Sequence, residues 1–189
     1  MRMLQGRELT LKNDTKVTIR TVKRTEAGKL LKLINNIFLK NDLMELTPNE
    51  VEAISTRKVR KTVKEFEKSK RQILLGVFND NKIVGICSVS RVSARDKQSH
   101  RAALYIGLLE EFRGTGLGAA LMKMAFDFAS KVAYEQFETT VLDGNTPAFI
   151  LCTEYGFKAM CRFPRAFKNM KGAYQDSILL IKYLNNYEI

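Results

Sequence analysis

No stretch of this 189-residue chain approaches the roughly 20 apolar residues that a bilayer-spanning helix needs, and Met1 to Asn13 holds no apolar run of signal-peptide length. The expected location is therefore the cytoplasm, with no membrane partner. Cysteine and histidine are scarce, at Cys87, Cys152, Cys161 and the lone His100. An odd number of cysteines without metal-ligand spacing gives neither a disulfide framework nor a zinc site, so no metal is expected. Pro, Gly and Ser never gather into a linker, and no repeat or low-complexity tract interrupts the chain, so residues 1–189 read as a single domain. Length agrees, because chains mostly divide beyond about 250 residues.

Acidic side chains are the other shortage, with 20 Asp and Glu against 32 Lys and Arg and a formal net charge of +12. Such a field attracts polyanions generally, whether nucleic acid, membrane surface or a phosphorylated cofactor. The densest basic stretch holds Arg57, Lys58, Arg60, Lys61, Lys64, Lys68, Lys70 and Arg71. Val51, Ile54, Val63 and Phe66 recur through it at near-helical spacing, and Thr47 with Pro48 supplies a cap and first turn. The pattern predicts one helix to about Ser69 with its cations on the solvated side, rather than a nucleic-acid surface. A docking surface for RNA, DNA or an acidic substrate would show the same residues with steeply salt-dependent affinity.

Apolar periodicity orders the remaining elements. Val17, Ile19 and Val22 mark a strand, and Thr25 with Glu26 opens a helix carrying Leu30, Leu33, Ile34 and Ile37. Residues 73–78 and 83–92 are apolar, β-branched runs joined through Asn79, Asp80, Asn81 and Lys82, which suits an antiparallel hairpin. Residues 102–109 are apolar on both faces, with Leu104, Ile106 and Leu108 on one and Ala103, Tyr105 and Leu109 on the other. That places the segment at the centre of a sheet, covered on both sides. Leu117, Leu121, Met124, Ala125 and Phe128 then lay one stripe along a helix. A strand at 137–142, a short helix opened by Asn145, Thr146 and Pro147 and ended by Gly156, and a last strand at 177–184 complete the order. Residues 1–12 are expected to be loosely held.

Residues 110–120 read Glu-Glu-Phe-Arg-Gly-Thr-Gly-Leu-Gly-Ala-Ala, placing three glycines between a buried strand and an amphipathic helix. Glycine lets backbone N–H groups approach a ligand closely, and a helix start carries about half a positive charge on unpaired donors. A diphosphate is the natural guest, with Arg113 adding a full charge. No Gly-Lys-Ser or Gly-Lys-Thr follows, which removes the magnesium-binding phosphate loop. Gly114, Gly116 and Ala119 satisfy a loose dinucleotide fingerprint, with Glu135 or Glu138 near the ribose position. Only about seventy residues follow, however, too few for a full doubly wound domain.

Arg113, Gly116 and Gly118 match the coenzyme A loop of the GCN5-related N-acetyltransferases, and the chain resembles that family well beyond the loop. Leu108 stands at the family's apolar strand position and Phe112 at its aromatic one. Asn145, Ala148, Leu151, Gly156 and Phe157 reproduce its Asn-x-x-Ala-x-x-Leu helix and Gly-Phe strand start. Ile19-Arg20, Ile83-Val84-Gly85 and residues 172–176 also agree, so the resemblance covers roughly residues 17–184. It implies an α/β (α+β) fold: a mixed, mostly antiparallel central sheet of six to seven strands, with helices on both faces. It also implies acetyl-CoA as cosubstrate and transfer to a primary amine of a small molecule, amino acid, polyamine or protein.

In proteins this chain resembles, the central strand and its neighbour splay apart around the pantetheine arm. Leu108 and Glu110 would then offer backbone to that arm, and Asn145 would reach it from the facing strand end. Arg113, Gly114, Thr115, Gly116, Gly118 and Ala119 would hold the diphosphate. An amine of pKa near 10.4 must lose a proton before it attacks, a step of about 4 to 5 kcal/mol at neutral pH. Ala103 and Thr140 stand where family branches place a glutamate base, and Cys152 replaces the usual tyrosine acid, with Tyr155 almost a turn later. Cys152 and Tyr105 are therefore the candidate proton donors. Each has a plain packing role as the other reading. His100 reads as an exposed polar residue at a strand entry. Asp143, Tyr174 and Asp176 read as turn residues or as a seat for a substrate ammonium. A coenzyme A-binding regulatory or nucleic-acid-docking module without turnover remains the alternative, and edge strands leave a homodimer open.

Overall fold

The computed structural model of the chain describes residues 6–39, 47–169 and 172–184. Two short strands come first, β1 (Arg7–Thr10) and β2 (Lys16–Thr21), followed by helices α1 (Ala27–Leu39), α2 (Pro48–Glu52) and α3 (Thr56–Lys68). The hairpin β3 (Ile73–Asn79) and β4 (Lys82–Arg91) leads to β5 (Arg101–Leu108) and α4 (Leu117–Lys131). Strand β6 (Gln136–Leu142), helix α5 (Thr146–Glu154), and strands β7 (Lys158–Lys168) and β8 (Tyr174–Tyr183) complete the order. Among the described residues one sheet joins all eight strands in the order β1-β2-β3-β4-β5-β6-β8-β7, antiparallel except where β5 meets β6.

Alternation along the strands feeds two cores. Ile73, Leu75 and Val77 point into a cluster with Leu117, Leu121, Met122 and Ala125 of α4, while Leu74 and Phe78 point into one with Leu30, Leu33 and Ile37 of α1 and Val59 and Val63 of α3. Helices therefore cover both faces, as the apolar pattern requires. Each buried Leu, Ile or Val contributes about 1.5–3 kcal/mol relative to exposure. On β5, Leu104, Ile106 and Leu108 pack against the first cluster and Tyr105 against the second, as expected. Burial there is incomplete, and β3 rather than β5 carries the unbroken buried run.

Eight strands exceed the expected six or seven. β1 is four residues of exposed or half-buried chain, and β7 has no buried residue in eleven, so neither shows apolar alternation. Pro164, a register shift between Phe163 and Phe167, and Arg165 at φ 54° interrupt β7, features that suit a sheet edge. The single helix expected from Pro48 is also two. Thr47 and Glu50 form a capping box on α2, but Ser55 turns extended and its hydroxyl accepts the Lys58 amide at 3.2 Å, starting α3 afresh. Arg57, Lys58, Arg60, Lys61 and Lys64 do lie on the exposed side.

Candidate active site

The chain leaves β5 through a tight turn in which the Arg113 amide donates to the Glu110 carbonyl at 3.0 Å. Thr115, nearly buried, donates from Oγ1 to the Phe112 carbonyl at 2.8 Å and pins the loop. Gly114 and Gly116 adopt φ of 70° and 87°, a left-handed backbone that costs other residues about 1–2 kcal/mol. Gly118 is needed for a different reason, because a Cβ there would stand 3.0 Å from Leu151 of α5. The first hydrogen bond into the helix runs from the Ala120 amide to the Gly116 carbonyl. Among the described residues the amides of 114–119 find no acceptor, leaving consecutive donors at a helix start. The Arg113 amide, already used, is not one of them; its side chain is exposed.

Beside this loop the sheet opens. β5 and β6 share only the rungs Arg101 with Gln136, Ala102 with Phe137, and Ala103 with Glu138. Beyond Ala103, β5 continues to Leu108 on the arm of β4, with Leu108 opposite Gly85, while β6 runs to Leu142 on the arm of β8. A wedge with an unpaired edge on β5 results. At its closed end Arg101 grips Glu138 with two hydrogen bonds, Nη2 to Oε2 at 2.8 Å and Nε to Oε1, and Gln136 donates to Oε1 at 2.9 Å. The hydrogen bond to Glu138 holds the Arg101 guanidinium above its ordinary pKa. Glu138 is 8% exposed and is the one buried carboxylate among the described residues.

Tyr105 stands on β5 beyond its last rung with β6, opposite Ser88 of β4, and its hydroxyl lies 2.8 Å from where a Cβ on Gly107 would be. Gly107 thus makes room for it. Cys152 lies in the core between α4 and α5, where burial pushes its thiol up to about 11. Tyr155 donates to the Ala119 carbonyl at 3.4 Å and ties α5 to α4. Asn145 precedes α5 just past the open end of β6, and its side chain does not cap the helix. Glu110 lies in the turn with its carbonyl engaged by Arg113. His100 is half-buried before β5, its carbonyl accepting the Glu135 amide.

Asp143 and Asp176 do come together, but around a cation already present. Arg162 of β7 donates to Asp143 at 2.7 Å and to Asp176 at 2.8 Å, and the Arg165 amide reaches Asp176 at 2.8 Å while its guanidinium covers the Tyr174 ring. The Arg165 amide and Arg162 hold the Asp176 carboxyl below its usual range. Sequence reasoning missed this arginine, the Arg101–Glu138 clasp and Lys12, whose side chain reaches Gly116. All three depend on contacts between segments far apart in sequence, for which no local pattern exists.

The family model of the acetyltransferase (GNAT) domain matches residues 19–179. A curated relative, the SPbeta prophage-derived uncharacterized N-acetyltransferase YokL of Bacillus subtilis, is 28% identical over 125 residues, covering 66% of this chain and 68% of that one. Among solved structures, a GNAT-family acetyltransferase from Streptococcus pneumoniae superposes with a TM-score of 0.82 at 23% identity, over 88% of this chain and 99% of that chain. The yncA protein of Salmonella typhimurium, solved with its cofactor acetyl-CoA, gives 0.79 at 14% identity over 92% and 96%. With the domain match spanning most of the sequence, and the split sheet and glycine loop in place, the chain belongs to the GNAT family of N-acetyltransferases.

Proposed function

We propose that this chain, acting as one unit in the cytoplasm, moves the acetyl group of acetyl-CoA to a primary amine of a small molecule or protein. The observation that carries the reading is the wedge beyond Ala103, which ends at consecutive unpaired amides. Those residues fit the cofactor. The amides of 114–119 and Arg113 suit a diphosphate, and the bare edge of β5 at Leu108, with Asn145 across the wedge, suits an extended amide-bearing arm. When bound, acetyl-CoA supplies a thioester as acyl donor.

Transfer forms one N–C bond and breaks one C–S bond, so the amine must give up a proton and the departing sulfur must gain one. Tyr105 is the candidate for the second task, because it lies on β5 beyond the last rung with β6, with its hydroxyl over Gly107. Cys152 is the other candidate, kept protonated to about pH 11 by burial. Arg101 and Glu138 hold the closed end of the wedge, fixing how far the strands part. The deciding experiment is incubation with acetyl-CoA and a broad amine panel, reading free thiol. Amine-dependent release is expected. If the cofactor raised the melting temperature while no amine released thiol, a binding module without turnover would replace this reading.

A further inference from the structure

We propose that Lys12, in the turn between β1 and β2, is a phosphate-binding residue of the cofactor site, supplying beside Arg113 a second full positive charge to a diphosphate at the start of α4. The proposal rests on the acetyl-CoA reading and extends it to a hairpin outside the glycine-loop pattern. Leu11 is buried in the cluster beneath α4 and anchors the turn. Its amide donates to the Thr15 carbonyl at 2.9 Å, and the Asp14 amide returns to the Leu11 carbonyl at 3.0 Å, with Asp14 at φ 59°. The turn is thereby closed tightly with Lys12 inside it.

From that anchor Lys12 is directed at the loop. Its amide faces the Thr115 carbonyl at 3.4 Å, and its Cε lies 3.8 Å from where a Cβ on Gly116 would stand. The ammonium is one bond beyond that carbon, at the loop whose amides find no acceptor. Lys12 is exposed and has the whole solvent to extend into. Among the described residues neither it nor Arg113 enters an ion pair. A cation at a helix N-terminus opposes the helix dipole, the reverse of what helix stability favours. Glu110 and Glu111 border the loop and Asp14 the turn, but among the described residues none of them is ion-paired with Lys12 or Arg113. Cations set at a helix start form an arrangement that an anion between them turns from repulsive to attractive.

The test is calorimetric titration of coenzyme A, dephospho-coenzyme A and pantetheine into the wild-type chain, Lys12→Gln and Lys12→Arg at low ionic strength. Lys12→Gln should weaken both phosphorylated ligands about tenfold, or about 1.4 kcal/mol. Pantetheine binding should not change, and Lys12→Arg should keep most of the affinity. The ligand-free melting temperature of Lys12→Gln should hold or rise, since a repulsion is removed. Unchanged affinity for dephospho-coenzyme A would overturn the proposal, as would a ligand-free melting temperature several degrees lower. A wild-type chain that took up no coenzyme A would sink the cofactor reading along with it, whereas normal binding by Lys12→Gln would sink this proposal alone.

Discussion

The two ends of β5 work in opposite ways. At its C-terminal end, Gly114 to Ala119 present main-chain amides in one continuous run, where two left-handed glycines turn the backbone and a third lets α5 approach. At its N-terminal end, the wedge is held by side chains of Arg101 and Glu138, which are 37 positions apart in sequence. The first device is backbone chemistry and tolerates most side chains. The second depends on two particular residues meeting across a short parallel ladder, and loses its purpose if either is absent.

Gly116→Val tests the backbone end most severely. A β-branched residue at φ 87° is strained, and its Cβ projects to the side where Lys12 lies, so coenzyme A affinity should fall at least about 100-fold, about 2.7 kcal/mol. Calorimetry reads this, and unchanged affinity would mean that the amides hold nothing.

Between the two ends, Tyr105→Phe should lower kcat about 100-fold with cofactor affinity intact, while Cys152→Ala changes kcat little. The reverse pattern in steady-state kinetics would move the proton donor from the wedge to the α4–α5 core.

The side-chain end predicts a stability effect. Glu138→Gln should cost about 1–3 kcal/mol in urea unfolding, because a largely buried, charge-assisted pair loses its anion while the half-exposed arginine is partly rescued by solvent. Combining it with Arg101→Met should recover part of the loss. Strict additivity of the two would show that the clasp is no coupled unit.

The smallest effect concerns the thiols. Burial pushes Cys87 up to about 12 and Cys152 to about 11, against about 8.5 in an unfolded chain. Unfolding then releases protons above pH 8.5, so their stabilising contribution is complete below that value and declines as pH rises through the folded values. Alkylation at pH 8 should modify exposed Cys161 first and reach the other two only on unfolding. Equal rates at all three would contradict the packing of α5 on α4.

Legibility divided along the same line. The α4 stripe, the β3–β4 hairpin and the two-faced pattern of β5 were readable because burial on a helix or strand imposes a short period on consecutive residues. β7 shows no such period, since a strand exposed along its length needs no alternation, and only the resemblance's Gly-Phe strand start at Gly156 and Phe157 pointed to it. The break at Ser55 was hidden because Val51, Ile54, Val63 and Phe66 keep their spacing through it. Lys12 fell in a segment expected to be loose, and only the burial of Leu11 gives it a fixed place.

What the amino acids alone determined was the order of elements and the glycine turn before α4, because glycine conformation and apolar period are properties of neighbours along the chain. Tertiary structure decided where the sheet parts, which carboxylate is buried and that Lys12 lies against Gly116. Those outcomes follow from rungs joining residues such as Ala103 and Glu138, and a pairing between distant strands leaves no local trace for a sequence to display.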